Sequence, residues 1–139
     1  MPFEIQDARA LIPQKMPFAL VDKLLYADTN TSHTSFEIPE ENIFVKSGYY
    51  STSGMVESMA QSAAAGTGYL YKKADKEVPV GYIGAVQKLV VYEWPPAKAM
   101  ISMEINLITR ILQVSLVSGV VKFDGRIMAT CEMKIFVSI

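Results

Sequence analysis

Glu57 is the only carboxylate in the run SGYYSTSGMVESMAQSAAAG, Ser47 to Gly66, where its neighbours are mostly alanine, serine and methionine. An acid in such company has two uses. If Gly54 is the N-cap of a helix, Glu57 is the third helical residue and its charge favours the positive end of the helix dipole. Alternatively, successive helical residues turn by about 100°, which puts Gln61, Ala64 and Gly68 within about 40° of Glu57. That face holds one acid, one amide and two small residues, and a pocket could lie against it. Burying a carboxylate costs several kcal/mol unless it is bonded, so an acid on a buried helix is expected to have something to bind.

The segment before the helix offers further polar chemistry. Tyr49, Tyr50, Ser51, Thr52 and Ser53 read either as a hydroxyl-rich loop with aromatic anchors or as the rim of a site. In the second case the backbone N–H groups around Ser53 to Val56, including those of Gly54 and Met55, would polarise a substrate carbonyl. His33, the only histidine, shares the odd-numbered side of TSHTSFEI with Ser35 and Glu37, opposite Phe36 and Ile38, and is expected to face solvent. Cys131 falls on the apolar side of its strand as an inert core residue. With one cysteine and one histidine, the chain has no cluster at metal-ligand spacing. Most of the eight methionines read as core filler, or as the flexible lining of an acyl tunnel.

These residues need elements to hold them. IQDARALI reads as a short helix stopped by Pro13. FALVDKLLYAD and TSHTSFEI form a hairpin across DTN. From Met55 to about Tyr71 no proline interrupts a helix that is apolar nearly all round and therefore buried. After the linker KKADKE the period changes to two. Ile101, Met103, Ile105 and Leu107 alternate with Ser102, Glu104 and Asn106, and Ile127, Ala129, Cys131, Met133, Ile135 and Val137 alternate with Arg126, Met128, Thr130, Glu132, Lys134 and Phe136 along the last segment. Long half-buried antiparallel strands follow, with DG as a hairpin signal. The economical packing curls that sheet around the single helix, an α+β arrangement in one domain spanning residues 1–139.

Hydrophobic residues make up 50% of the chain and charged residues 19%, an apolar balance that predicts self-association. A net charge of −1 provides no field for nucleic acid. The start is acidic and broken by prolines, unlike a signal peptide, and Arg110, Gln113 and Gly119 interrupt the most apolar run, so a cytoplasmic protein without a membrane span is expected. Lys72, Lys73 and Lys76 could meet an acidic carrier protein, although a charged linker is ordinarily just solvated.

Two stretches resemble signatures of the 3-hydroxyacyl-[acyl-carrier-protein] dehydratases. IPQKMPFALVDKL, Ile12 to Leu24, is similar to their opening Leu-Pro-His-Arg-x-Pro-Phe-Leu-Leu-Val-Asp-Arg pattern, with Gln14 in place of histidine and Lys15 in place of arginine. VESMAQSAA, Val56 to Ala64, resembles the central-helix signature Glu-Ala-Met-Ala-Gln. IGAVQKLVVYEWPPAKAM is a looser match to a Gly-led strand and turn. The resemblance implies the hotdog fold, a long sheet wrapped around one helix. It also implies a dimer whose sites combine a histidine from one subunit with an acid from the facing helix. Glu57 then takes the place of the catalytic acid and Gln61 that of the substrate-orienting amide.

The family's Gly-His-Phe-Pro histidine has no equivalent here; GYYS places Tyr49 at that position and Tyr50 at the phenylalanine, on a shorter loop. Tyrosine's reference pKa near 10 leaves about one phenolate in a thousand at pH 7, about 4 kcal/mol short of a base already ionised. The expected site is therefore Glu57 and Tyr49 as catalytic candidates, with Gln61, Gly54, Met55 and Tyr50 binding substrate. The implied activity is elimination of water from a 3-hydroxyacyl group carried by acyl carrier protein or coenzyme A, with no cofactor beyond the pantetheine arm. It would be run by a homodimer, or with a different hotdog subunit that supplies the histidine. Hydrolysis of the thioester by Glu57-activated water and a purely binding subunit are the alternatives.

Overall fold

The computed structural model describes residues 2–138. Nine strands and one long helix follow in order: β1 (Gln6–Asp7), β2 (Lys23–Ala27), β3 (Thr31–Glu37), β4 (Val45–Lys46), β5 (Tyr49–Tyr50), α1 (Thr52–Lys73), β6 (Gly81–Val91), β7 (Met100–Ile111), β8 (Val114–Phe123) and β9 (Arg126–Val137). Seven strands form one antiparallel sheet in the order β1-β2-β3-β7-β8-β9-β6, and β4 and β5 form a separate two-stranded ribbon. The sheet wraps around α1, the hotdog arrangement.

The inward faces of β7 and β9 follow the alternation in the sequence. Ile101, Met103 and Ile105 are buried, as are Ala129, Cys131 and Met133. A bulge opposite Val121 and Lys122 breaks the pattern in β9, so Met128 turns inward and Ile127 is exposed. Asp124 and Gly125 both have positive φ, the backbone that the two-residue DG hairpin requires. His33 lies 3.6 Å from the Glu104 carboxylate on the partly exposed side of β3, away from the helix.

Three expectations differ from the structure. The IQDARALI segment is not an α-helix: Gln6 and Asp7 pair with β2, and only Ala8–Ala10 make a 3-10 turn, capped by the Asp7 side chain. The first hairpin strand begins at Lys23 rather than Phe18, because Phe18–Leu20 give their backbone groups to a helix side chain instead of a neighbouring strand. Helix α1 starts at Thr52 with Ser51 as N-cap, so Gly54 is not the cap and Glu57 sits in the second turn. The capping explanation of Glu57 lapses with that register.

Candidate active site

One side of α1 is fused to β3 through buried polar contacts. Ser32 Oγ donates to the Ser62 carbonyl at 2.7 Å, Thr34 and Ser62 share a hydroxyl contact at 2.5 Å, and Ser62 Oγ donates to the Ser58 carbonyl at 2.7 Å. Gly66 permits this approach, since a Cβ there would lie 2.8 Å from Ser32 Oγ. The opposite stripe, Glu57, Ala60, Ala63, Ala64 and Thr67, faces the β6–β9 end of the sheet across a gap. Small side chains leave that gap open, a cavity of about 560 Å³. This is within the size range of small-molecule sites.

Glu57 is half-buried on the cavity wall and has no ion-pair partner among the described residues. Its Oε1 accepts from Gln61 Nε2 at 3.1 Å. The other Nε2 hydrogen goes to the Phe18 carbonyl at 3.0 Å, and Gln61 Oε1 accepts from the Leu20 N–H at 2.6 Å. A glutamine amide has two N–H donors, and both are engaged. Gln61 therefore ties the MPFAL segment to α1 and fixes the carboxylate's orientation. The two signature segments of this chain are thereby bonded to one another. With Oε1 already an acceptor from Gln61, Oε2 is the oxygen left for a ligand.

Glu57 and Gln61 are brought to one cavity; Tyr49, Tyr50, Gly54 and Met55 do not line it. Ser47 and Gly48 have positive φ and turn β4 into β5, where neighbouring side chains point to opposite faces. Only one of the two tyrosines can then face inward. Tyr50 does so fully, and its hydroxyl lies 2.8 Å from Ser58 Oγ, which donates to the Leu20 carbonyl at 3.0 Å. Burial pushes the Tyr50 phenol well above the ordinary tyrosine range. Tyr49 faces outward, 54% exposed. Gly54 leaves room for the Tyr50 ring, because a Cβ there would lie 2.6 Å from it. Met55 is core. Two of the helix-start N–H groups are taken: Gly54 donates to Ser51 Oγ at 3.2 Å and Met55 to the Ser51 carbonyl at 3.0 Å. Those two are not free to polarise a substrate carbonyl, the role expected of them.

Four of the cavity-lining residues that sequence reasoning did not assign to the site carry polar or bulky side chains into its wall. Gln14 and Lys15 line it from the loop after the 3-10 turn, Lys72 from the last turn of α1, and Ile83 from β6. Lys72 Nζ donates to the Ala10 carbonyl at 2.6 Å, which anchors that wall. Their departure from the dehydratase pattern at Gln14 and Lys15 was the available signal. A second cavity of about 440 Å³ shares Ala63, Thr67, Pro79, Ile135 and Val137 with the first and continues toward Arg110. Cys131 is buried 3.8 Å from Met59 Sδ, with its thiol pushed up to about 11 by burial and the nearby Glu132. No group of three potential metal ligands occurs among the described residues, and no described helix is long and apolar enough to cross a membrane.

The architecture and the Glu-Gln helix define a hotdog-fold dehydratase. Residues 6–138 match the ApeP-like family, described as ApeP dehydratase, and the chain belongs to that family. The dehydratase heterocomplex ApeI:P of Xenorhabdus doucetiae contains a chain of the same fold, with a TM-score of 0.87 and 14% identity over 96% of this chain and 92% of that one. A hypothetical thioesterase of Streptococcus pneumoniae solved with coenzyme A has a TM-score of 0.67 and 7% identity over 83% and 84% of the two chains. A Streptococcus mutans protein bound to acetyl-CoA has a TM-score of 0.69 and 8% identity over 91% and 95%. No curated protein sequence matches this chain.

Proposed function

We propose that this chain supplies the acid half of a shared 3-hydroxyacyl thioester dehydratase site, completed by a second hotdog subunit. The observation that carries the reading is the content of the Glu57 cavity: one carboxylate, two amides and two lysines line it, and no histidine does. Elimination needs a group to take the proton at C2 while another gives a proton to the departing C3 hydroxyl. Glu57, whose Oε2 is not engaged by Gln61, is the group placed for the second task. The C3–O bond breaks, water leaves with that proton, and the C2–H electron pair becomes the C2–C3 double bond.

The base then comes from across an interface. Ile83 and Gly81 of β6 form part of the cavity wall, and β6 is one of the sheet's two edge strands. Its exposed Tyr82, Ile83, Val86, Leu89 and Val90 are unusual for an edge left in water. The ApeI:P dehydratase heterocomplex supports a second subunit as partner, which we place on that edge, and the coenzyme A complexes of same-fold proteins support a pantetheine thioester as cargo. Lys15 and Lys72 suit the anionic phosphate of that arm, and the acyl tail lies along Ala60, Ala63 and Thr67 toward the second cavity. In a homodimer the outward-facing Tyr49 would be the group offered to the opposite site.

The test is to incubate the chain, alone and with a hotdog subunit from its own operon, with a 3-hydroxyacyl thioester while following enoyl absorbance and free thiol. Enoyl product only with the partner is expected. Glu57→Gln should cut that rate by about a hundredfold or more while leaving the melting temperature unchanged. Full activity in Glu57→Gln sinks the acid assignment. Free thiol without enoyl product marks hydrolysis, and silence in every pairing marks a binding subunit.

A further inference from the structure

Gln14 Oε1 is buried with no hydrogen-bond partner, and it is the only such side-chain nitrogen or oxygen among the described residues. The contrast with its surroundings is sharp. Gln61, Ser58, Ser62, Ser32 and Thr34 are all bonded. Buried polar atoms are almost always paired, and one that is not loses its water without compensation. Gln14 belongs to the same cavity as Glu57 and stands where the related signature has histidine. The terminal torsion of glutamine is soft, so the carboxamide can turn its oxygen to the cavity at little cost.

We infer that Gln14 is a substrate-binding residue whose carboxamide oxygen accepts a hydrogen bond from the acyl thioester held beside Glu57. This rests on the dehydratase reading above. A carboxamide oxygen only accepts, so the ligand must present a donor. A 3-hydroxyacyl pantetheine has two kinds: the C3 hydroxyl and the amide N–H groups of the arm. Either is the same chemistry at Gln14, and they are separable by ligand.

The experiment uses the full chain and two non-hydrolysable probes, the thioethers of 3-hydroxyoctanoyl- and octanoyl-type pantetheine, titrated calorimetrically. Gln14→Met keeps the length and removes the acceptor. The expected result is about tenfold weaker binding of the hydroxylated probe, with a melting temperature equal to or above that of the parent. Equal weakening of both probes assigns the donor to the pantetheine amide; weakening of the hydroxylated probe alone assigns it to the C3 hydroxyl. Gln14→Glu, which retains an acceptor, should hold the affinity, and it carries the comparison if Gln14→Met does not fold. Parent-like affinity of Gln14→Met for both probes, or a lowered melting temperature with unchanged affinity, overturns the inference while the dehydratase reading stands. Failure of the parent chain to bind either probe overturns both.

Discussion

Gln61 shows how much one side chain can do when it is fully buried and fully bonded. It is 2% exposed and joins Leu20, Phe18 and Glu57. Replacement by leucine keeps the bulk but orphans the Leu20 N–H, whereas the Phe18 carbonyl belongs to an exposed residue and can find water. We expect Gln61→Leu to cost about 1–3 kcal/mol in urea unfolding. It should also lower kcat more than it raises KM, because the carboxylate loses its orientation and the pocket keeps its walls. A variant with parental stability and kcat would refute the tether. The pairing of Glu57 with Gln61 is legible in sequence from a spacing of four on a helix. The partner at Phe18–Leu20 is not, since it lies 41 residues away from Gln61 at Leu20 and depends on how the chain returns.

At the scale of elements, α1 has two unlike sides. Ser62 and Gly66 seat it on β3, while Glu57 and the small residues Ala60, Ala63, Ala64 and Thr67 border the open gap toward β6 and β9. The composition predicted a buried helix, but a helix that is apolar all round gives no hint of which face is packed and which is left facing a cavity. Ala63 stands on the wall common to both cavities, so bulk there narrows the passage. Ala63→Phe should reduce kcat/KM for long acyl thioesters by about tenfold or more relative to short ones, a loss equivalent to about 1.4 kcal/mol. A uniform change across chain lengths would place the tail elsewhere. The ribbon of β4 and β5 makes a similar point: GYYS reads as two equivalent tyrosines, and the strand's alternation sends one into the core and the other to solvent.

For the whole molecule the open question in the fold is β6. Its register slips between Ile83 and Ala85 and again between Gln87 and Val90, yet its apolar side chains remain largely exposed. An edge of this kind is a template for another strand. Val86→Lys should abolish the association of the chain with its partner subunit, seen as a shift to monomer mass in sedimentation. The monomer's unfolding free energy should stay within about 0.5 kcal/mol, because the position is already in water. Unchanged complex mass would move the interface away from β6.

What the sequence determined alone were the properties that depend on neighbours a few residues apart: the period-two strands, the uninterrupted helix, the DG turn, and an acid and an amide on one helical face. Periodicity and spacing are local, so these could be read directly. The tertiary structure decided which wall each residue joins. Gln14 and Glu57 line one cavity, Tyr50 is committed to Ser58 while Tyr49 is turned out, and the N–H groups of Gly54 and Met55 are spent on Ser51. Such outcomes come from contacts between distant segments and from the competition of polar groups for partners, and that competition is settled only when the chain closes on itself.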